Sequence, residues 1–416
     1  MDAPYNIEGN VVQDIIITLK IDKLAGLGDG VGSHDGAKVF VPYTIAGDVI
    51  RARIKKETAD ATYASIESII TPGQGRIEPV CFHFGKCGGC SLQHLEHRLY
   101  KEFKQQMASE AVRKASYDTN MVASMITLPA ATRRRAELKV KGGKIGYFSE
   151  RSHQLVDILE CKVLEPELFA LVMQLKDKIR KLPTFPNINI STIKINGVDD
   201  GYDVVMEGED SFKLELRDLP LIKRFSIRKS ADLQTVFQTS DVTIKLGDAI
   251  IEIPPGAFLQ ASREAQAIMT DLVTSAVKDA SKVLDLFAGI GTYSFPLSKN
   301  AEVTAMEGDA GMVAAMQKSG KIKTEERDLF YNPLPTEKLN EYDAVAINPP
   351  RAGAKAQCEQ LASSDIAKIV MVSCNPATFT RDARILKEGG YNLTKLTPID
   401  QFVYSSHLEM VAEFSK

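Results

Sequence analysis

The sequence predicts a multi-domain α/β chain: a small antiparallel β-barrel first, a mixed α/β domain in the middle, and last a parallel sheet covered on both faces. Three observations predict it. Residues 1–73 alternate short strand-like runs with glycine-rich turns, three of the six cysteines crowd between residues 81 and 90, and from about residue 260 apolar strands alternate with helices. At 416 residues the chain is also too long for one ordinary core.

A hydrophobic content of 44% beside 25% charged residues is that of a soluble globular chain. No run approaches the roughly 18–20 apolar residues of a membrane span. The opening MDAPYNIEGN lacks the basic-then-apolar order of a signal peptide, so a cytoplasmic protein with no membrane partner is expected. The net charge of −3 offers nucleic acid no general attraction, but it is unevenly spread. Residues 1–73 hold seven Lys/Arg against ten Asp/Glu, whereas residues 98–144 hold eleven against four, with Arg133, Arg134 and Arg135 in succession. Such a local excess can hold phosphates, because the field that matters is the one at the contact surface. The competing reading is a solvated helix face.

The first domain, 1–73, draws strands from residues 11–21, 37–43, 48–56 and 62–70, with a turn region at 26–32 and an end at Pro72 and Gly73. The second, 74–258, opens on the cysteine cluster. It continues as a helix over 93–113 with Leu95, Leu99, Phe103, Met107 and Val112 as apolar positions, then returns to strands broken by glycine. The third, 259–416, alternates strands at 283–288, 302–307, 343–350 and 369–374 with helices. Ligands of such sheets bind at the carboxyl ends of the strands.

Those ends carry the candidate site residues. Asp285 ends the first strand, and Gly289 and Gly291 let the next turn bring backbone close to a ligand. Glu307 ends the following strand, where a carboxylate can accept the hydroxyl protons of a ribose. Together they point to a nucleotide-like cofactor. The loop reads AGIGTY, not the GxGxxG of a dinucleotide site, and DLFAGIG resembles the S-adenosylmethionine loop of class I methyltransferases. Asp328 lies where that family often contacts the adenine. Cys374 closes the apolar run IVMVSC just before a helix, placed to be a nucleophile if a positive neighbour or the helix N-terminus lowers its pKa. The alternative is a merely buried thiol, as Cys358 is read to be. Cys81, Cys87 and Cys90 follow the spacing C-x5-C-x2-C, and with Cys161 they supply four thiolates for a metal. Spacing leaves zinc and an iron–sulfur cluster both open.

Taken together, these segments resemble the RNA uracil-5-methyltransferases that act on ribosomal and transfer RNA. The matching segments run in family order: the barrel at 11–70, similar to a TRAM (OB-like) RNA-binding domain, CFHFGKCGGCSLQHL, GAFLQ at 256–260, DLFAGIG, NPPRAG at 348–353, VSCNPAT at 372–378 and HLE at 407–409. The resemblance implies a class I, Rossmann-like methyltransferase domain with S-adenosylmethionine as donor. It implies that Cys374 adds to carbon 6 of uracil, that Glu409 removes the proton from carbon 5, and that Gln260 and Phe287 line the donor pocket. Arg351 then orders the active-site loop or the flipped nucleotide. The four cysteines would hold a [4Fe-4S] cluster. Structured RNA is the implied partner, 23S rRNA before tRNA, since transfer-RNA members commonly lack both barrel and cluster. A monomer is expected.

Two donor-side positions depart from the family. Asn348 stands where the family usually has Asp, keeping an acceptor and gaining donors but losing the charge, and Thr292 replaces a frequent Asn after the glycine turn. The Asn348-Pro349-Pro350 string also occurs in methyltransferases of exocyclic amines, which have no need of Cys374. A non-catalytic RNA-binding protein is the other alternative.

Overall fold

A computed structural model describes residues 15–185, 187–209, 214–216 and 218–416. The chain divides into two compact units: residues 1–104, 144–162 and 402–407 make one, and residues 105–143, 163–401 and 408–416 the other.

The first unit contains six strands, Ile16–Lys20, Lys23–Leu24, Gly30–His34, Ala37–Val41, Val49–Glu57 and Thr62–Thr71. Of the strand expected over 11–21, residues 11–14 lie outside the described residues. The hydrogen-bonded order is first, fifth, sixth, fourth, third, second. Ladder neighbours are antiparallel except the fourth and sixth strands, which pair in parallel through Val39 and Thr62. The purely antiparallel barrel is therefore corrected to a mixed sheet, because two reversals of chain direction separate those strands. The turn region at 26–32 likewise gives way to a strand from Gly30. Alternation along the strands sends Ile17, Leu19, Val39, Val41, Ile50 and Ala52 to one interior. Gly32 lets the sheet curl, since a Cβ there would meet the Lys20 carbonyl oxygen at 2.2 Å. The turn before the fifth strand is held by fully buried Asp48, which accepts N–H bonds from Ile45 at 2.7 Å and Gly73 at 2.8 Å and pairs with Arg76.

The helix expected over 93–113 runs from His97 to Lys114. Residues 92–95 instead form a turn in which Leu92, Gln93, His94 and Leu95 are buried, so the two leucines serve a loop core.

In the second unit an eight-stranded sheet runs in the order Lys323–Glu326, Glu302–Glu307, Lys282–Leu286, Ala344–Ile347, Lys368–Ser373, Glu409–Ser415, Asn392–Asp400, Ile126–Thr127. The first five are parallel; Glu409–Ser415 enters antiparallel beside Lys368–Ser373. Chain order reverses between Lys282–Leu286 and Ala344–Ile347, which is the switch point where ligands of such sheets bind. Val283, Ala344, Val370 and Val411 pack on one face against Ala265, Met269 and Val273 of the helix Arg263–Ala276. Leu284, Val345, Ile369 and Met410 pack on the other with Phe379, Ala383 and Leu386 of the helix Pro376–Glu388. Each fully buried aliphatic side chain contributes about 1.5–3 kcal/mol, so the two faces hold the strand ends rigidly.

A second run of strands in this unit, Arg135–Lys141, Ile190–Val198, Gly201–Gly208, Ile222–Lys229 and Asp232–Gln238, clamps the segment 253–260. Arg224 donates to the Ile253 carbonyl at 2.8 Å, Asp203 accepts from Gly256 N–H at 2.8 Å, and Asn196 donates to the Ala257 carbonyl at 2.9 Å. Arg135 holds the Leu259 carbonyl at 2.7 Å and Arg134 the Gln260 carbonyl at 3.0 Å. Arg134 is 3% exposed. It is thus a buried carbonyl clamp, which corrects its expected place on a phosphate-binding surface. Among the described residues no helix is long and apolar enough to cross a membrane.

Candidate active site

The register of two strands sets the centre. Ser373 pairs with Met410 in the antiparallel ladder, so the next step places Cys374 opposite Glu409. Directly opposed side chains in such ladders stand roughly 5 Å apart at Cβ. Cys374 is half-buried, and Glu409 is 5% exposed. Burial, then the Glu409 charge, pushes the thiol up to about 11, while Arg351 pulls against both through its charge and a hydrogen bond. The expected activation by a positive neighbour is present, but burial outweighs it. Burial also raises Glu409 to about 7, opposed by a hydrogen bond from Gln401 and the charge of Arg351.

The loop carrying Arg351 is tied to the start of the helix after Cys374. Asn375 caps that helix by accepting from Ala377 N–H, and both its amide nitrogen and the Thr378 hydroxyl donate to the Arg351 carbonyl, at 3.0 and 3.1 Å. Thiol and guanidinium therefore sit on one local scaffold.

Next to this pair lies a second polar group. Asp285 is fully buried, accepts the Ser294 hydroxyl at 2.5 Å, and is raised to about 7 by burial. Half-buried Glu307 takes Gly289 N–H on one oxygen at 2.8 Å, and Gly308 and Asp309 N–H on the other at 2.8 and 3.0 Å. The glycine turn requires Gly291, because a Cβ there would meet the Phe295 ring at 2.6 Å. Phe287 holds a left-handed backbone, φ 58°, which costs on the order of 1–3 kcal/mol in a non-glycine residue and persists where surroundings enforce it. Its ring packs on Phe330, centroids 5.3 Å apart, and exposed Asp328 accepts Phe330 N–H at 3.0 Å. Thr292 is buried just before the short helix Ser294–Leu297, and half-buried Asn348 follows the strand Ala344–Ile347, its N–H on the Leu286 carbonyl at 3.1 Å.

Gln260, Gln401 and Tyr293 connect the two groups. Gln401 donates to Glu409 at 2.7 Å and to the Gln260 side-chain oxygen at 3.2 Å. Fully buried Tyr293 hydrogen-bonds Gln260, and burial, followed by the charges of Glu409 and Asp285, holds its hydroxyl protonated. Sequence reasoning missed Gln401, Tyr293 and Ser294. The last two follow directly on the glycine turn, a signal that was available; Gln401 requires the strand register.

The four cysteines 81, 87, 90 and 161 all belong to the first unit, are half-buried and form no disulfide. Burial pushes Cys87 up to about 11 and Cys90 to about 12, and in each case other thiols of the set add to the rise. Their loops are fixed by Gln93, which accepts Cys81 N–H at 3.0 Å, and by His83, which accepts Leu159 N–H at 2.8 Å. Gly88 lies against the 148–150 backbone, where a Cβ would meet the Phe148 oxygen at 2.9 Å. Among the described residues no three His, Cys, Asp or Glu side chains converge as a single metal ion requires. Cys358, at 0% exposure, is a packing residue as expected.

Residues 323–414, which include Asn348, Arg351, Cys374 and Glu409, match the family model described as tRNA (Uracil-5-)-methyltransferase. An RNA methyltransferase of Rhizobium meliloti is 36% identical over 96% of this chain and 99% of its own length. A 23S rRNA (uracil(1939)-C(5))-methyltransferase of Pectobacterium atrosepticum is 28% identical over 96% of this chain and 93% of its own. The fold matches that of the Pyrococcus abyssi tRNA (uracil-54, C5)-methyltransferase, solved with S-adenosyl-L-homocysteine, at a TM-score of 0.74 and 21% identity over 96% of this chain and all of that one. The chain belongs to the family of S-adenosylmethionine-dependent RNA (uracil-5-)-methyltransferases.

Proposed function

We propose that this enzyme methylates carbon 5 of a specific uridine in structured RNA, with 23S rRNA the substrate, as in the relative of that activity. The observation that carries the reading is the juxtaposition of a thiol and a buried carboxylate, Cys374 and Glu409, on facing strand ends beside the glycine turn. Carbon 5 of uracil is a poor nucleophile. Addition of the Cys374 thiolate to carbon 6 pushes electron density onto oxygen 4 and makes carbon 5 enolate-like. S-adenosylmethionine would supply the electrophilic methyl group, carbon 5 taking it as the S–CH3 bond breaks and S-adenosylhomocysteine leaves, and Asp285, Glu307, Gly289, Gly291, Phe287, Gln260, Thr292, Asp328 and Asn348 form its proposed pocket. Glu409 then takes the proton from carbon 5, the C5=C6 double bond reforms, and the C6–S bond breaks to return the electron pair to Cys374. A base inside a helix is shielded, so the uridine must leave its stack to reach Cys374.

The four thiols fit a [4Fe-4S] cluster as donors. They lie close enough to raise one another's pKa, and what supports the cluster is their chemistry as four thiolate donors. They would hold it in the first unit, and no reaction step passes through it. The proposed organisation is a barrel at 1–73 that recognises RNA, a central region to 258 with the cluster, and a catalytic domain from 259.

Mass mapping of methylated uridines tests the function. Incubation of the purified protein with rRNA from cells lacking it should yield 5-methyluridine at one 23S position, and Cys374→Ala should abolish it. Methylation of an exocyclic amine, or activity surviving in Cys374→Ala, would overturn the reading.

A further inference from the structure

We infer that Gln401 is a positioning residue for the base: its amide favours the carboxylate form of Glu409, fixes which oxygen meets the substrate, and ties the base to Gln260. This rests on the reading of Glu409 as the base. Gln401 is absent from the short motifs quoted above, and its role follows from its hydrogen bonds and its place in the strand register. Ile399 pairs with Glu409 across the hairpin, so Gln401, two residues on, leaves the strand on the same side as Ile399. Gln401 is 3% exposed, and Gln260 and Glu409 are each 5% exposed, so water does not compete for their hydrogen bonds.

The orientation of the amide is informative. Nε2 donates to Glu409 Oε1 at 2.7 Å and to Gln260 Oε1 at 3.2 Å, while Gln401 Oε1 is buried with no hydrogen-bond partner among the described residues. Leaving an acceptor unpaired is unfavourable, so the two donor contacts must outweigh it. Turning the amide over would set its oxygen against the Gln260 oxygen and the carboxylate, three acceptors together. The observed arrangement suits an ionised Glu409 and opposes its protonated form, because an N–H bond to a carboxylate is stronger than one to a neutral acid.

Such a donor matters because burial alone favours the protonated acid, which cannot take a proton. With Oε1 occupied by Gln401, Oε2 is the oxygen that receives the proton from carbon 5. Its arrival weakens the Gln401 bond. Gln401 therefore acts on the step that breaks the C5–H bond and lets the C6–S bond return its pair to Cys374, and not on methyl transfer.

Gln401→Leu, with Gln401→Met as the alternative should leucine not fold, is the test. The probe is 23S rRNA from cells lacking this chain, with methyl-labelled S-adenosylmethionine. The variant should transfer methyl in a first turnover, then accumulate a methylated protein–RNA adduct that survives denaturation. Release at neutral pH should slow about tenfold and recover at higher pH, the limb moving up by about one unit. Wild-type release and an unmoved pH limb in a folded variant would overturn the inference. Glu409→Gln separates the two readings: trapping adduct at every pH keeps Glu409 as the base whatever Gln401 does, whereas normal release by Glu409→Gln removes the base reading and this inference with it.

Discussion

Ser294 donates its hydroxyl to Asp285 at 2.5 Å through one carboxylate oxygen, while the other oxygen of Asp285 is buried without a hydrogen-bond partner among the described residues. Hydrogen bonds from the Ser294 hydroxyl and backbone N–H do not compensate for complete burial, and the carboxyl rises to about 7. Glu409, similarly buried, rises to about 7 as well. The unfolded chain releases these protons near the ordinary carboxylate values, about 4, and the native chain holds them until about 7. Stability from this pair is therefore full below the unfolded values and is lost as pH rises through 7, at up to about 1.4 kcal/mol per unit for each group.

A double variant, Asp285→Asn with Glu409→Gln, removes both titrations. Its melting temperature relative to the wild type should climb between about pH 5 and pH 8, the direction set by that linkage. A constant difference across this range would show that the two groups are not the source of the loss. Activity should fall in the same variant, as expected where a site holds carboxylates at the expense of stability.

Arg351 offers a second test. Its guanidinium opposes the rise that burial and Glu409 impose on Cys374. Arg351→Met should slow alkylation of Cys374 by iodoacetamide about tenfold near neutral pH, which corresponds to about one unit of thiol pKa. The pH at which alkylation accelerates should rise, followed by mass spectrometry of the peptide carrying Cys374. An unchanged profile would make Arg351 a loop residue only.

Single Cys→Ser changes at 81, 87, 90 or 161 should each remove iron and visible charge-transfer absorbance from the anaerobically purified protein, and lower its melting temperature. Because Cys374 and Glu409 belong to the other unit, binding of S-adenosylhomocysteine by calorimetry should be retained. Zinc with no iron at full occupancy would replace the cluster assignment with a mononuclear one.

The strongly apolar strands Lys282–Leu286 and Lys368–Ser373 were legible from sequence because buried parallel strands read as continuous hydrophobic runs. The strand Lys323–Glu326 was not, since KTEE at a sheet edge carries no such run. Cys374 and Glu409 lie in short local motifs that a reader of the sequence can single out, whereas Gln401 follows a strand whose meaning depends on which residue lies across from it. Arg133, Arg134 and Arg135 illustrate the converse. Charge counting treats them as one patch, whereas Arg134 and Arg135 both turn onto the backbone carbonyls of Gln260 and Leu259.

That inward turn constrains how this protein can vary. Arg134 reaches the Gln260 carbonyl with Nε and the Gln266 side chain with Nη2, at 3.0 and 2.7 Å. A lysine would conserve the charge but lacks the planar fork that spans both acceptors. Substitution in the most basic tripeptide of the chain is therefore restricted by the shape of the wall behind Gln260, and descendants of this sequence could exchange their exposed cations freely long before they could exchange this buried one.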